Sequence, residues 1–423
     1  MHNTTARLLR RFATLWEECD TCAPAFEFTY SVREQSAREA HLDRFLDAVN
    51  SELHRRPRTA PERRATQERI TAAFSKLARS ALDFEERHLE VLFERGFSRV
   101  GVELAQAARR FDPAISASDI FQASRNAWVL NGLQLLLGRP AELTPAAFAY
   151  SLLYPYSDNF LDDSEISSQA KLAFSERFRR RLVGDEISPV NTHERAVCEL
   201  VAMIEGQFGR SRYPQVFESL LAIHRAQENS LRLARHNGSA HGVDVLGITF
   251  EKGGASVLAD GYLAAGALTE AQAEFIFGWG VFLQLGDDLQ DVQQDMRNRR
   301  LTLFSQAARH RPLDALTNRT FQFGARAMER LDDFGAPGSE PVKELVKRSG
   351  VALLVNAAGA AGRLFSAAYL RELETHSPFG FSFLNKRRKE FTRKQGLLTR
   401  LIDAFAIPDG RTCDNQPSDR TKI

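Results

Sequence analysis

Apolar residues recur every three or four positions, with charged residues between them, over Glu39 to Leu53, Arg64 to Leu92, Gly96 to Phe111 and Ala117 to Leu137. That spacing is the period of amphipathic helices. No convincing run of alternating β-branched residues occurs, and two-residue hairpin signals are few. Breaks fall at Pro57 to Pro61, Asp112-Pro113, Gly138-Arg139-Pro140, Ser188-Pro189, Phe334 to Gly338 and Ser377-Pro378. Thr144-Pro145 and the stretch from Ser116 to Asp119 read as an N-cap followed by a first helical turn. The chain is therefore expected to be all-α, without internal repeats, and with a loose polar tail from Ile407 onward.

Composition narrows the function classes. With 423 residues the chain can bury a large core in one or two domains. The net charge of +2 gives no field suited to nucleic acid. Thirty phenylalanines against few Trp and Tyr suit an apolar interior with aromatic faces. Cys19, Cys22, Cys198 and Cys413 make no disulfide framework, and the lone Cys19/Cys22 pair is a weak metal or redox signal. No segment approaches the roughly 20 apolar residues of a membrane span, the nearest being Val351 to Ala361. The first residues lack the apolar stretch of a secretory signal, so a cytoplasmic location is expected.

Two acidic clusters carry the chemistry. Asp158, Asn159, Asp162 and Asp163 form the first; Asp287, Asp288, Asp291 and Asp295 form the second. Residues three or four apart share a helix face, and like charges there repel. Both clusters lie in apolar sequence, where a solvated acidic face fits poorly. Mg²⁺ resolves the conflict, because it takes carboxylates together with the oxygens of a phosphorylated substrate. Between the clusters, Lys252 precedes Gly253-Gly254 inside a helical stretch. Paired glycines cost about 1 kcal/mol each in a helix, which is reasonable where the backbone bends or something approaches closely.

Lys252-Gly253-Gly254, then Phe282 and Gln284, then Asp287-Asp288-x-x-Asp291-x-x-x-Asp295, then Arg300-Leu301-Thr302-Leu303, resembles the second half of trans-prenyl diphosphate synthases. The chain departs from that pattern with Gly253 for Thr, Leu283 between Phe282 and Gln284, Arg300 for Lys and Phe304 for Pro. Asp287, Asp291 and Asp295 also occupy the frame of a metal motif of class I terpene synthases. Asp158-Asn159-x-x-Asp162 resembles the first aspartate motif of both groups, and read as D-x-x-x-D it is similar to squalene and phytoene synthases. The resemblance spans roughly Phe121 to Leu373. It implies a class I isoprenoid synthase-type helical bundle around a central apolar cavity, with residues 116–375 as the catalytic core. Residues 1–115 would be an N-terminal helical extension packed on it, and 376–423 a C-terminal basic helix and tail.

The resemblance further implies that Asp158, Asn159, Asp162, Asp163, Asp287, Asp288, Asp291 and Asp295 hold Mg²⁺, three ions in all, with Mn²⁺ as a substitute. Asp158, Asp162, Asp287, Asp291 and Lys252 would be catalytic, and Lys252, Gln284, Arg297 and Arg300 would bind a prenyl diphosphate. Chain-elongating enzymes add an N-terminal basic segment and an Arg-Arg soon after the first acidic motif; both are missing here. Ionisation of one allylic diphosphate followed by cyclisation or elimination is therefore expected first, and elongation or head-to-head condensation second. A non-catalytic scaffold of the same fold stays open, kept so by Asn159. A di-iron bundle built on Glu85-Glu86-Arg87-His88 lacks its second Glu-x-x-His. His236 and His241 could touch diphosphate from a loop. The basic run Lys386 to Lys389, with Arg393 and Lys394, could rest on an anionic membrane. A homodimer is left open.

Overall fold

The computed structural model describes the chain except residues 1, 56, 58, 164, 236–242, 394–398, 400 and 403–423, and except the side chains of 2, 3, 60, 232–235 and 391–393. His236, His241, Lys394, Cys413 and the tail from Ile407 lie outside the described residues. Within them the fold is all-α, with no strand. The first five helices are α1 (His2–Glu18), α2 (Val32–His54), α3 (Ala60–Ala81), α4 (Glu86–Phe93) and α5 (Phe97–Phe111). Next come α6 (Ala117–Leu136), α7 (Pro145–Asp162), α8 (Ser168–Val183), α9 (Thr192–Gln207) and α10 (Pro214–Arg235). The central pair is α11 (Val245–Ala265) and α12 (Glu270–Gln290), followed by α13 (Val292–Asn298), α14 (Leu303–Ala307) and α15 (Asp314–Met328). The series closes with α16 (Glu340–Ala361), α17 (Ala367–Glu374) and α18 (Phe381–Arg393). Among the described residues no helix is long and apolar enough to cross a membrane.

Helix starts follow the expected chemistry. Ser116 and Thr144 accept from the backbone N–H groups of Asp119 and Ala147, capping α6 and α7. The periodic stretch Arg64 to Leu92 is not one helix. It breaks at Asp83, which adopts a left-handed φ of 56°. Asp83 accepts from Tyr30 Oη at 2.7 Å and from both terminal nitrogens of Arg38, so contacts from distant sequence hold the break open.

One continuous apolar cluster runs from α1 to α18. Phe12 stacks on Phe277 at 5.8 Å, while Trp16 meets Phe250 and Phe323 edge-on at 5.9 and 5.7 Å. Residues from the first turns of the chain thus enter the central core. His88 is spoken for within this frame: its Nδ1 accepts from the Glu85 N–H and its Nε2 lies 2.8 Å from Glu344 Oε2.

The paired glycines in α11 serve close approach. A Cβ on Gly253 would stand 2.5 Å from both Gln284 Cβ and the Gly280 carbonyl oxygen, and one on Gly254 would enter the Phe277 ring. α11 and α12 therefore meet backbone to backbone. Gly253→Ala is expected to lower stability by about 1–3 kcal/mol through overpacking. Gly206→Ala in α9, where a Cβ meets nothing, is expected to raise stability by up to about 1 kcal/mol. Urea denaturation midpoints check this, and equal responses of the two variants would refute the contact.

Candidate active site

Lys252 on α11 stands where α7, α10 and α12 converge. Asp158 on α7 and Asp287 on α12 line the same apolar cavity, of about 400 Å³, with Lys252 and Arg125 between them. Leu153, Leu161, Val257, Leu283 and Leu353 supply much of its wall. A smaller adjoining recess is lined by Asp162, Lys252, Gln284, Asp288 and Arg300. Lys252 is thus common to both spaces. The two acidic clusters, far apart in sequence, meet around one ammonium group.

Arginines bridge the assembly. Arg300 Nη2 lies 3.3 Å from Asp162 Oδ2, tying the segment after α13 to the end of α7. Arg125 Nη2 on α6 lies 3.2 Å from Asp287 Oδ1. Arg300 reaches its place because Arg299 takes a left-handed φ of 56°, which turns the chain so that the Arg300 N–H bonds back to the Asp295 carbonyl at 2.9 Å. Gln284 Nε2 donates to Asp288 Oδ1 at 2.9 Å, and Asp288 Oδ2 is buried without a partner.

Asp158, Asp288 and Asp295 are held away from water, whereas Asp162 and Asp287 stay partly exposed. Burial, reinforced by Asp162, pushes the Asp158 carboxyl up to about 6 against the pull of Lys252 and of hydrogen bonds from Ser157 and Gln227. Burial, reinforced by Asp295 and Asp287, pushes Asp288 up to about 7 against Gln284 and Lys252. Asp295 is pushed up to about 6 by burial and Asp291, although Arg300 and Lys252 oppose it. Asp287 is raised by burial and Asp291 against Arg125 and Lys252. Lys252 behaves oppositely: burial favours its neutral form, yet Tyr154, Asp158 and Asp162 carry its pKa above the ordinary lysine value.

Not every residue singled out by sequence comes to this place. Asn159 turns away, its amide donating to Asp119 Oδ1 at 2.9 Å and Gln122 Oε1 at 3.1 Å on α6. One position past Asp158 is about 100° round a helix of 3.6 residues per turn, so the two cannot share a target. Asp163 lies beyond the last turn of α7, exposed, and accepts from the Glu165 N–H. Arg297 is exposed, and its Nε donates to the Gln293 carbonyl of its own helix. The second acidic stripe is interrupted: α12 ends at Gln290 and Asp291 is the exposed junction to α13, so Asp287 and Asp288 face the cavities while Asp291 lines neither. Sequence reading kept Arg125 only as a reserve cation for elongation and did not single out Asp260. Arg125 pairs with a residue 162 positions away, which no local pattern reveals. Asp260 did leave a signal, as a lone carboxyl in the apolar run from Ala255 to Leu263.

Do these residues fit Mg²⁺? Among the described residues no three His, Cys, Asp or Glu side chains gather into a closed cage. Mg²⁺ does not require one, since it uses one or two carboxylates plus water and phosphate oxygens. Facing acidic pairs, the unpartnered Asp288 Oδ2 and buried carboxylates with raised pKa values all suit cations arriving with an anionic ligand. Asp158, Asp162, Asp287 and Asp288 would hold them.

The raised carboxyls give a signed expectation. Their folded pKa values exceed the ordinary aspartate value, so the folded form binds more protons than the unfolded one. Their contribution is fully favourable below about 4 and is lost as pH rises through 6 and 7. Metal-free protein is therefore expected to lose stability between about pH 4 and 7, on the order of 1–4 kcal/mol from this source. Asp288→Asn should flatten the slope, and Mg²⁺ with inorganic pyrophosphate should restore stability at the alkaline end. Calorimetric melting across that range tests this, and an unchanged slope in Asp288→Asn would count against it.

No protein-family model matches the chain, and no curated protein matches it. Among solved structures, it is similar to geranylgeranyl pyrophosphate synthetase from Pyrococcus horikoshii Ot3, at 14% identity and a TM-score of 0.31. The match covers 70% of this chain and 99% of that one. A likeness at that score carries no argument about activity.

Proposed function

We propose that the chain binds a prenyl diphosphate with its apolar tail in the cavity and its diphosphate at the mouth, and that Mg²⁺ assists ionisation of that single substrate, followed by cyclisation or elimination. The supporting observation is the meeting of two acidic helices around Lys252 at the opening of an apolar cavity. Mg²⁺ held by Asp158 and Asp162 on one side and Asp287 and Asp288 on the other would supply Lewis-acid stabilisation of the departing diphosphate. Lys252 then shares the diphosphate charge as a fixed ammonium. Arg300 and Arg125 engage Asp162 and Asp287 without ligand; with carboxylates turned to cations, both guanidiniums are released to grip phosphate oxygens. The apolar walls exclude water from the cation that forms.

Chain elongation is the second reading, and Arg125 is the observation in its favour, because it adds a cation at the mouth that a second diphosphate would need. Two further cations of α8 do not join it: Arg177 is committed to Glu194 at 2.9 Å, and Lys171 lines neither cavity.

Geranyl, farnesyl and geranylgeranyl diphosphate are to be incubated separately with Mg²⁺, with and without isopentenyl diphosphate, and the products read by mass spectrometry. The expected products are a hydrocarbon or alcohol plus free diphosphate, unchanged by isopentenyl diphosphate. Longer diphosphates would establish elongation instead. Asp158→Asn and Asp287→Asn are each expected to cut turnover by about 10²–10³-fold, the scale of losing one charge-stabilising group, while melting at or above the wild-type temperature. Equal loss of melting temperature and activity would make these aspartates structural.

A further inference from the structure

The cavity has a polar floor that ionisation at its mouth does not use. Lys252, Ser256 and Asp260 follow one another at four-residue spacing along α11 and line the same cavity. A rise of 1.5 Å per residue puts Asp260 about 12 Å below Lys252. Asp260 is 1% exposed. Its Oδ1 accepts from Asn126 Nδ2 on α6 at 3.1 Å, and the same amide lies 3.4 Å from Ser151 Oγ on α7. Its Oδ2 is buried and has no hydrogen-bond partner.

An unpaired buried carboxyl oxygen costs on the order of 1–3 kcal/mol, so its retention in an apolar wall calls for a use. The Oδ1 partner, Asn126, is a neutral amide, and burial holds the carboxyl well above its ordinary range. Taken out of water beside a neutral amide, the carboxyl favours its protonated form. Because Oδ1 already accepts from Asn126, the proton belongs on Oδ2, where it is a donor without an acceptor. A purely architectural tie between α6 and α11 would be complete with Oδ1 alone. Leucine and valine side chains make up much of the surrounding wall, so what answers the donor must arrive attached to something apolar.

We propose that Asp260, oriented by Asn126, is a distal subsite in the cavity floor at which Oδ2 donates a hydrogen bond to a neutral acceptor oxygen, hydroxyl or carbonyl, carried on the far part of a bound apolar chain. The inference extends the proposed function by naming a feature of the bound chain, but its test does not depend on that function. A chain lacking such an oxygen leaves the donor unpaired, so the site discriminates oxygenated from plain hydrocarbon chains.

The test uses full-length protein without metal, with 1-octanol and octane as probes, each displacing a fluorescent apolar dye from the cavity. Wild type is expected to bind octanol at least about tenfold more tightly than octane, the factor that corresponds to about 1.4 kcal/mol. The preference should collapse in Asp260→Leu, and in Asp260→Ala should leucine prevent folding. Asp260→Asn should retain it, because an amide can accept from Asn126 through its oxygen and donate through its nitrogen. Lys252→Met should also retain it, since the mouth is not involved. The proposal is overturned by equal binding of the two probes to wild type, by a preference surviving in Asp260→Ala, or by its loss in Asp260→Asn or Lys252→Met. Turnover of prenyl diphosphates without an octanol preference would sink the subsite alone; the preference without any turnover would sink the proposed function alone.

Discussion

Gly253 and Gly280 allow α11 and α12 to touch through bare backbone, and the arrangement of charge at the cavity mouth depends on that contact. A side chain at either position would collide with the facing helix and push the pair apart. Lys252 sits beside the contact on one helix, and Gln284 and Asp287 follow it by one and two turns on the other. Separation of the helices would draw the ammonium away from the carboxylates whose charge it offsets. The packing of Phe12 and Trp16 from α1 against Phe277, Phe250 and Phe323 backs the same pair from behind. Tight packing on one face thus positions charge on the other.

Charge at the mouth is incompletely balanced in the free protein. Desolvation opposes ionisation of Asp158, Asp288 and Asp295, neighbouring carboxylates add to that opposition, and Lys252 and Arg300 counter it only in part. Such a site is under electrostatic stress that bound cations relieve. The exposed pairs Arg300–Asp162 and Arg125–Asp287 are the weak kind, partly screened by solvent. Weakness is useful here, because pairs that open easily leave both partners available for a charged ligand.

Helical periodicity and capping residues made most of the fold legible from sequence, since both act within a few positions. Ser116 and Thr144 cap the helices their sequence context announces. The break at Asp83 was not legible, because Tyr30 and Arg38 impose it from 53 and 45 residues away. Spacing brought Asp158, Asp162, Asp287, Asp288 and Lys252 to one place, but it could not say which way neighbours face. Asn159 and Asp163 belong to the first acidic cluster by sequence, while their side chains are engaged elsewhere. Arg297 was read as a diphosphate ligand together with Arg300, yet one left-handed residue, Arg299, sends Arg300 toward the site and leaves Arg297 on its own helix.

The distribution of cations bears on how many diphosphates the proposed site would serve. Two diphosphates brought together repel strongly in a poorly solvated mouth, and several fixed positive groups must offset that repulsion. Lys252, Arg125 and Arg300 are the basic side chains that line the two cavities. Arg125 and Arg300 already pair with carboxylates, and bound cations would release them. One diphosphate with its cations would use the whole set: the ions would answer the aspartates, and the freed arginines would join Lys252 on the phosphate oxygens. A second diphosphate would find little positive charge left unspoken for among these residues. The remaining lining holds no further Lys or Arg, so a bound chain would meet largely apolar walls and the Asp260–Asn126 pair below the mouth.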